Sequence, residues 1–126
     1  YQALCGLLAD LFEHFGIRTS AQTVQGSFCD GRYNLAVDGR KIAGTAQHWQ
    51  RDKSTPNRYR VLSHAVVLAA DPAMLTERAN RFEQALGSDT RYRADKTTSL
   101  LELAGTGGAE TLAALQAIIK THHPIN

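Results

Sequence analysis

Two residues in the first third of the chain have side chains that could do chemistry together, a thiol at Cys29 and an ammonium at Lys41. Cys29 lies in segment 26–31, whose glycine, serine and aspartate residues favour a turn with exposed side chains. A thiolate is a nucleophile, and a positive charge from Lys41 or His64 would favour that form. The pair marks a hypothetical reactive site, whereas a solvated lysine and an unreactive cysteine are the ordinary alternatives for each residue alone.

The elements that must position these two side chains are the arms of a predicted β-hairpin. Segments 32–37 and 40–46 have β-type composition, and Asp38 and Gly39 separate them. An Asp-Gly pair favours a type I′ turn, because that turn needs positive φ at both central residues. The thiol then precedes the first strand and the ammonium starts the second. The two groups share one site if the residues before the first strand fold back beside the second.

The stretch G-R-K-I-A-G-T-A-Q at residues 39–47 resembles the strand signature of the lipoate–protein ligase and octanoyltransferase group, relatives of the biotin protein ligases. Residues 59–68 (Y-R-V-L-S-H-A-V-V-L) and 97–103 (T-T-S-L-L-E-L) continue the similarity. The resemblance implies a lipoate–protein ligase-like enzyme that transfers a lipoyl or octanoyl group to a lysine of a lipoyl-domain or acyl carrier protein. Its alternatives are a cysteine-dependent octanoyl or lipoyl transferase that uses no ATP, and a binding fragment without catalysis.

The same resemblance assigns roles to particular residues. Lys41 would reach the activated carboxyl, Cys29 would carry the acyl thioester, and Gly44, Asn34 and Thr45 would bind substrate. Gly44 suits this role because a glycine permits close approach of a ligand to the backbone. Where the family usually has a carboxylate that can hold Mg²⁺, this chain has Asn34, which mildly favours thioester transfer. The expected cofactor is the lipoyl or octanoyl donor. A need for ATP and Mg²⁺ stays open, and no protein-bound metal is predicted.

Length, charge and composition limit the class of protein. The chain has 126 residues, enough for one domain with a core. A net charge of +2 is too small to imply nucleic acid, and no apolar run approaches the roughly 20 residues that cross a bilayer. Two cysteines predict a reducing cytoplasm rather than a disulfide framework.

Members of the family carry an Arg-Arg-x-Ser/Thr-Gly-Gly-Gly type motif upstream of such a first helix, and residues 1–126 contain no such motif. We therefore expect residues 1–126 to be the C-terminal portion of a lipoate ligase/octanoyltransferase-like domain, with the N-terminal portion missing and the fragment alone inactive.

Helical periodicity and terminal signals predict the elements around the hairpin. Helices are expected over residues 2–16, 72–86, 99–104 and 109–120, the last burying Leu112, Leu115 and Ile119. Asp71 before Pro72 is expected to cap the second helix, and a capping box that begins at Ser99 should open the third, which ends at Gly105. A third strand is expected over 59–70, buried over 65–70, and Val24 is a candidate for a further strand. The predicted fold is α+β, an antiparallel hairpin sheet packed against helices, as a partial biotin/lipoate ligase-like domain.

Four further features are weighed between a structural and a functional role. Segment 50–58 is predicted to be an exposed loop, either simply solvated or a basic rim for an acidic protein partner or a phosphate. His64 is expected to be a satisfied core histidine. The run 105–108 (G-T-G-G) is expected to be a turn between helices rather than a phosphate loop. His122 and His123 lack metal-ligand spacing, and Pro124 should lie beyond the end of the last helix.

Overall fold

The computed structural model describes residues 1–122; His123 and Pro124 lie outside the described residues. Within that range the elements follow in the order α1 (Gln2–His14), β1 (Ser20–Gln22), β2 (Asn34–Val37), β3 (Arg40–Arg51), β4 (Tyr59–Val67), α2 (Pro72–Ala85), a 3₁₀ turn (Ala94–Lys96), α3 (Leu100–Ala104) and α4 (Gly108–His122). None of the helices in residues 1–122 combines the length and the apolar character needed to span a bilayer. The predicted α+β fold is confirmed.

The described strands form one antiparallel sheet in the order β1-β2-β3-β4. Asp38 and Gly39 have φ angles of 48° and 73°, so the predicted hairpin turn is confirmed. The prediction of three strands was wrong, because β1 pairs with β2 at the sheet edge. Its three residues are polar or small and carry no apolar alternation. Val24 lies outside β1, buried in the loop that follows.

The core lies against one face of the sheet, where α1, α3 and α4 contribute. Its largest fully buried apolar side chains are Phe12, Leu11, Ile42 and Leu100. The predicted burial of 65–70 was wrong in part. Leu68 is buried, but Val66 is 60% exposed. Because successive strand residues point to opposite faces, Ala65 and Val67 pack against the core while Val66 faces away from it.

The buried face of α4 also differs from the prediction. Leu112 is 56% exposed and Ile119 is 37% exposed, whereas Thr111 and Ala114 are buried and Leu115 and Ile118 pack against the core. The buried set keeps helical spacing but is displaced around the helix axis. Thr111 and Ala114 have small side chains, so a prediction made from side-chain hydrophobicity alone did not place them in the buried face.

Not all of the residues predicted to start or end a helix do so by the expected contacts. The Ser99 hydroxyl accepts a hydrogen bond from the Glu102 backbone N–H at 3.2 Å, and Gly105 ends α3 with a φ of 65°. Both were predicted. Asp71 precedes Pro72 as predicted, but within the described residues its carboxylate makes no capping hydrogen bond. Asp71 instead has a φ of 46°, which turns the chain into α2 by backbone conformation.

Candidate active site

Lys41, the second residue of β3, is buried, with 3% of its surface exposed. Its Nζ donates hydrogen bonds to the carbonyl oxygens of Phe28 at 2.9 Å and Cys29 at 2.8 Å. Burial lowers the pKa of the Lys41 ammonium, while the nearby Cys29 and Asp30 side chains oppose that shift. The Thr98 backbone N–H donates to the Lys41 carbonyl at 2.9 Å, which fixes the strand position from the other side. Lys41 is therefore not a solvated surface lysine, and one ammonium hydrogen remains for a third partner.

Residues 24–31, the Cys29 loop, carry the thiol and supply the two carbonyl oxygens that bind the Lys41 ammonium. Cys29 is a free, exposed cysteine, as its turn composition predicted. Its φ of 48° is uncommon for a residue with a side chain and costs roughly 1 kcal/mol. The loop is held from outside as well, because the Arg93 backbone N–H donates to the Gly26 carbonyl at 2.8 Å. The Lys41 hydrogen bonds and this backbone contact together hold the thiol in place.

Asp30 and Asn34 form a second anchor of the Cys29 loop. The Asp30 Oδ1 accepts hydrogen bonds from the Val24 backbone N–H at 2.8 Å and from the Asn34 Nδ2 at 2.7 Å. Asn34, at the start of β2, is 2% exposed and lies beneath the loop. The Asn34 amide therefore links β2 to the Cys29 loop. Position 34 lacks the carboxylate that is usual in the family, but the carboxylate of Asp30 lies beside it.

A cavity of about 330 Å³ opens beside the thiol and the ammonium. Cys29, Lys41 and His64 supply its polar groups. The remainder of its wall is apolar or small and consists of Phe28, Gly44, Thr45, Ala46, Val66 and Leu68. A pocket with an apolar wall and a few convergent polar groups fits a ligand that has a hydrocarbon part and one reactive polar end.

Gly44 and Thr45 both border the cavity, but their contacts are with the protein itself. A Cβ on Gly44 would lie 3.1 Å from both Cε and Nζ of Lys41. The glycine therefore makes room for the lysine side chain. The Thr45 hydroxyl donates to the Tyr33 carbonyl at 2.7 Å and so links β3 to the residue before β2.

His64 is exposed on β4 and borders the cavity, so the expectation of a core histidine was wrong. It lies on the same sheet face as Val66, which points away from the helices. The sequence did not reveal this, because the choice of face depends on which neighbours a strand acquires. The apolar wall was missed for a similar reason. The residues of the wall occupy alternate positions along the chain, 44 and 46 on β3, and 64 and 66 on β4 with 68 just beyond its end. The sequence did not show that β3 pairs with β4, which brings these residues together.

Two other candidate features have structural roles. Segment 105–107 is a turn between α3 and α4, as predicted. The His122 Nε2 lies 2.9 Å from a carboxylate oxygen of Asp10, a contact that links α4 to α1. Across residues 1–122, the His, Cys, Asp and Glu side chains form no group of three or more that could hold a metal ion.

Comparison with known proteins gives the class to which this fold and site belong. No family model matches the chain. An uncharacterized protein of Cupriavidus necator is 43% identical over 129 residues, which cover 93% of this chain and 51% of that protein. An octanoyl-[GcvH]:protein N-octanoyltransferase of Kyrpidia tusciae is 38% identical over 115 residues, covering 87% of this chain and 40% of that enzyme. A protein of the same name from Geobacillus kaustophilus is 38% identical over 47 residues, covering 37% of this chain and 17% of that enzyme.

The chain belongs to the lipoate and octanoyl transferase family, and the resemblance seen in the sequence is confirmed. The relatives that are named for an activity are octanoyl-[GcvH]:protein N-octanoyltransferases. The chain spans about half or less of the length of the relatives that it matches.

Proposed function

We propose that the chain is part of an octanoyltransferase that moves an octanoyl group between lysines of two proteins through a thioester on Cys29. One arrangement carries the proposal: an exposed thiol whose loop carbonyls hold the buried Lys41 ammonium, beside an apolar cavity. The names of the relatives support octanoyl-GcvH as donor and a nitrogen of another protein as acceptor. We assign the acceptor nitrogen to a lysine of another carrier domain. The thiol chemistry suits a reducing compartment, for which we propose the cytoplasm.

The reaction divides into two half-reactions with balanced protons. In the first, the Cys29 sulfur attacks the carbonyl carbon of the octanoyl amide on the donor, and a C–S bond forms. The C–N bond breaks, and the donor lysine leaves as an amine that takes up the proton lost by the thiol. In the second, the acceptor lysine amine attacks the thioester carbonyl. A C–N bond forms, the C–S bond breaks, and the proton lost by the amine returns to the thiol.

In this scheme Lys41 stabilises the oxyanion of both tetrahedral intermediates. Two of its ammonium hydrogens are held by the Phe28 and Cys29 carbonyls, so the third has a fixed direction. A donor oriented before the reaction and shielded from water stabilises developing charge better than a mobile one. Removing one such donor typically lowers kcat by roughly 10²–10³-fold. We expect Lys41→Ala to lose activity on that scale.

The overall exchange replaces one lysine amide by another, so it needs no ATP. The ligase alternative forms an acyl-adenylate from ATP with Mg²⁺ and releases AMP. Lys41 could meet the phosphate of an adenylate with the same ammonium. Measuring AMP release during transfer separates the two reactions. AMP formed in proportion to the acylated product would replace the thioester proposal by the ligase.

The test uses the full-length protein that the gene encodes, with octanoyl-GcvH as donor. Intact-protein mass spectrometry should find one octanoyl group on the wild type and on Cys5→Ser, removable by hydroxylamine. Cys29→Ser should carry no such thioester and should lose transfer. A Cys29→Ser protein with full transfer activity would remove the covalent route. Binding of octanoyl-GcvH by the wild type without any transfer would favour the binding-domain alternative.

A further inference from the structure

A basic arm extends from the sheet beyond the cavity. We define the arm as residues 47–63, the outer part of the β3–β4 hairpin and its loop. Its cationic side chains are exposed and, within residues 1–122, stand outside the ion pairs; they are Arg51, Lys53, Arg58 and Arg60. The one carboxylate of the arm, Asp52, accepts hydrogen bonds from the Ser54 backbone N–H at 2.9 Å and hydroxyl at 2.6 Å.

The positive charge of the molecule is concentrated on this arm. Four cations against one carboxylate give the arm a charge of +3 with neutral histidines, whereas the whole chain carries +2. The remaining residues therefore sum to −1. A charge distribution this uneven produces a local positive field that attracts an acidic surface and steers its approach.

The arm also exposes side chains of the kind that anchor protein interfaces. Trp49 is 60% exposed and Tyr59 is 56% exposed, and their rings contact edge to face with centroids 6.2 Å apart. Val61 is exposed beside them, whereas Leu62 is exposed on the opposite face of the sheet, which also carries His64 and Val66 at the cavity. Trp, Tyr and Arg are the residues most enriched among those that dominate binding energy. Exposed aliphatic side chains favour a protein partner over a nucleic acid, because phosphates and sugars offer little apolar surface to cover them.

The arm is continuous with the cavity. On the face of the sheet that carries the cavity, the cross-strand pair His48–Leu62 follows the pair Ala46–His64, whose side chains border the cavity. From position 64 to Arg60 is four residues, or about 13 Å along the strand. A protein interface of roughly 800 Å² per partner is about 30 Å across. A domain that sits on the arm therefore reaches the mouth of the cavity.

We propose that the arm is the docking surface for an acidic carrier domain that bears the acylated lysine. The positive arm attracts the carrier, Arg60 and Leu62 contact it on the face that carries the cavity, and the direction of the strands leads its lysine toward Cys29. This assignment names the partner surface of the octanoyltransferase proposed above and rests on that function for the identity of the cargo.

The experiment measures the Kd of octanoyl-GcvH for the full-length protein at low and at physiological ionic strength. Arg58→Glu combined with Arg60→Glu reverses two charges on the arm. Arg78→Glu combined with Lys120→Glu reverses two exposed charges on α2 and α4 and changes the net charge equally. We expect the arm variant to raise Kd at least about ten-fold at low salt and to flatten its salt dependence. The control should stay within about two-fold. Leu62→Ala should also raise Kd, by about ten-fold, because this exposed side chain lies on the same sheet face as the cavity.

Failure of this proposal can be told apart from failure of the proposed function. A small octanoyl thioester at saturating concentration acylates Cys29 without docking, so the arm variants should react with it at the wild-type rate. Loss of this reaction in the arm variants alone would overturn the docking role. An unchanged Kd in the arm variant, or binding of a labelled oligonucleotide through the arm in place of octanoyl-GcvH, would also overturn it. If the small donor fails to acylate even the wild type, the proposed function fails while the Kd series still tests the docking surface.

Discussion

Gly44→Ala is the most specific test of how the site is built. The added Cβ would lie 3.1 Å from Cε and from Nζ of Lys41. Carbon atoms in contact prefer about 3.5–4.0 Å, so the lysine must move by a few tenths of an ångström. That side chain has little freedom, because hydrogen bonds of 2.9 and 2.8 Å hold its ammonium to the carbonyls of Phe28 and Cys29. The substitution therefore pushes on the Cys29 loop through Lys41.

Two opposed contributions decide the size of the effect on stability. Overpacking a well-filled site costs typically about 1–3 kcal/mol. Replacing glycine by alanine at a position without positive φ returns about 0.4–1 kcal/mol, because the unfolded chain becomes stiffer. We expect Gly44→Ala to lower the free energy of unfolding by about 1 kcal/mol net. The rate at which Cys29 reacts with an alkylating reagent should also change, because the displaced ammonium no longer holds the loop.

The assay combines urea denaturation with the rate of Cys29 alkylation in a Cys5→Ser background. Gly6→Ala is the matched control, because Gly6 lies in α1 and a Cβ there meets nothing within 4 Å. The control should gain roughly 0.5–1 kcal/mol from improved helix propensity and leave alkylation unchanged. The two Gly→Ala substitutions should therefore change the free energy of unfolding in opposite directions, because the two glycines have different surroundings.

A double-mutant cycle isolates the cause. Lys41→Ala removes both atoms that the new Cβ would approach, so Gly44→Ala should cost nothing in that background. An equal cost in both backgrounds would refute the reasoning, since the lysine side chain could then not be the obstacle. A neutral effect of Gly44→Ala in the wild type, with normal alkylation, would refute it as well.

Three other outcomes follow from the described contacts. Ser99→Ala should lower the free energy of unfolding by about 1 kcal/mol through loss of the α3 cap, and an unchanged urea midpoint would contradict this. Because burial lowers the pKa of Lys41, the folded state binds fewer protons there than the unfolded state just below the ordinary value of 10.5. The stability of the wild type relative to Lys41→Met should therefore rise with pH in that window, and a falling difference would oppose the assignment. Asn34→Asp should destabilise the Cys29 loop by about 1–3 kcal/mol, because two carboxylates then face each other. Adding Asp30→Asn restores an amide–carboxylate pair, so recovery of stability and alkylation in the exchange variant is expected, and no recovery would exclude this anchor.

Local signals in the sequence succeeded where the physics is local. The Asp38–Gly39 turn and the α3 cap at Ser99 each depend on a few consecutive residues, and both are present. The exposure of Cys29 followed from the composition of its turn. Predictions that needed to know what packs against an element did less well. The buried face of α4 was displaced, and His64 lies beside the cavity rather than in the core.

The sequence by itself determined the hairpin, the α+β class and the identity of the thiol and the ammonium, because turn geometry and side-chain chemistry are properties of short segments. The tertiary structure alone decided how they are used. It buried Lys41 under the carbonyls of the Cys29 loop, put Asn34 beneath that loop, and placed the wall of the cavity on one face of β3 and β4. These arrangements depend on strand register and on contacts between residues far apart in the chain, which no local pattern encodes.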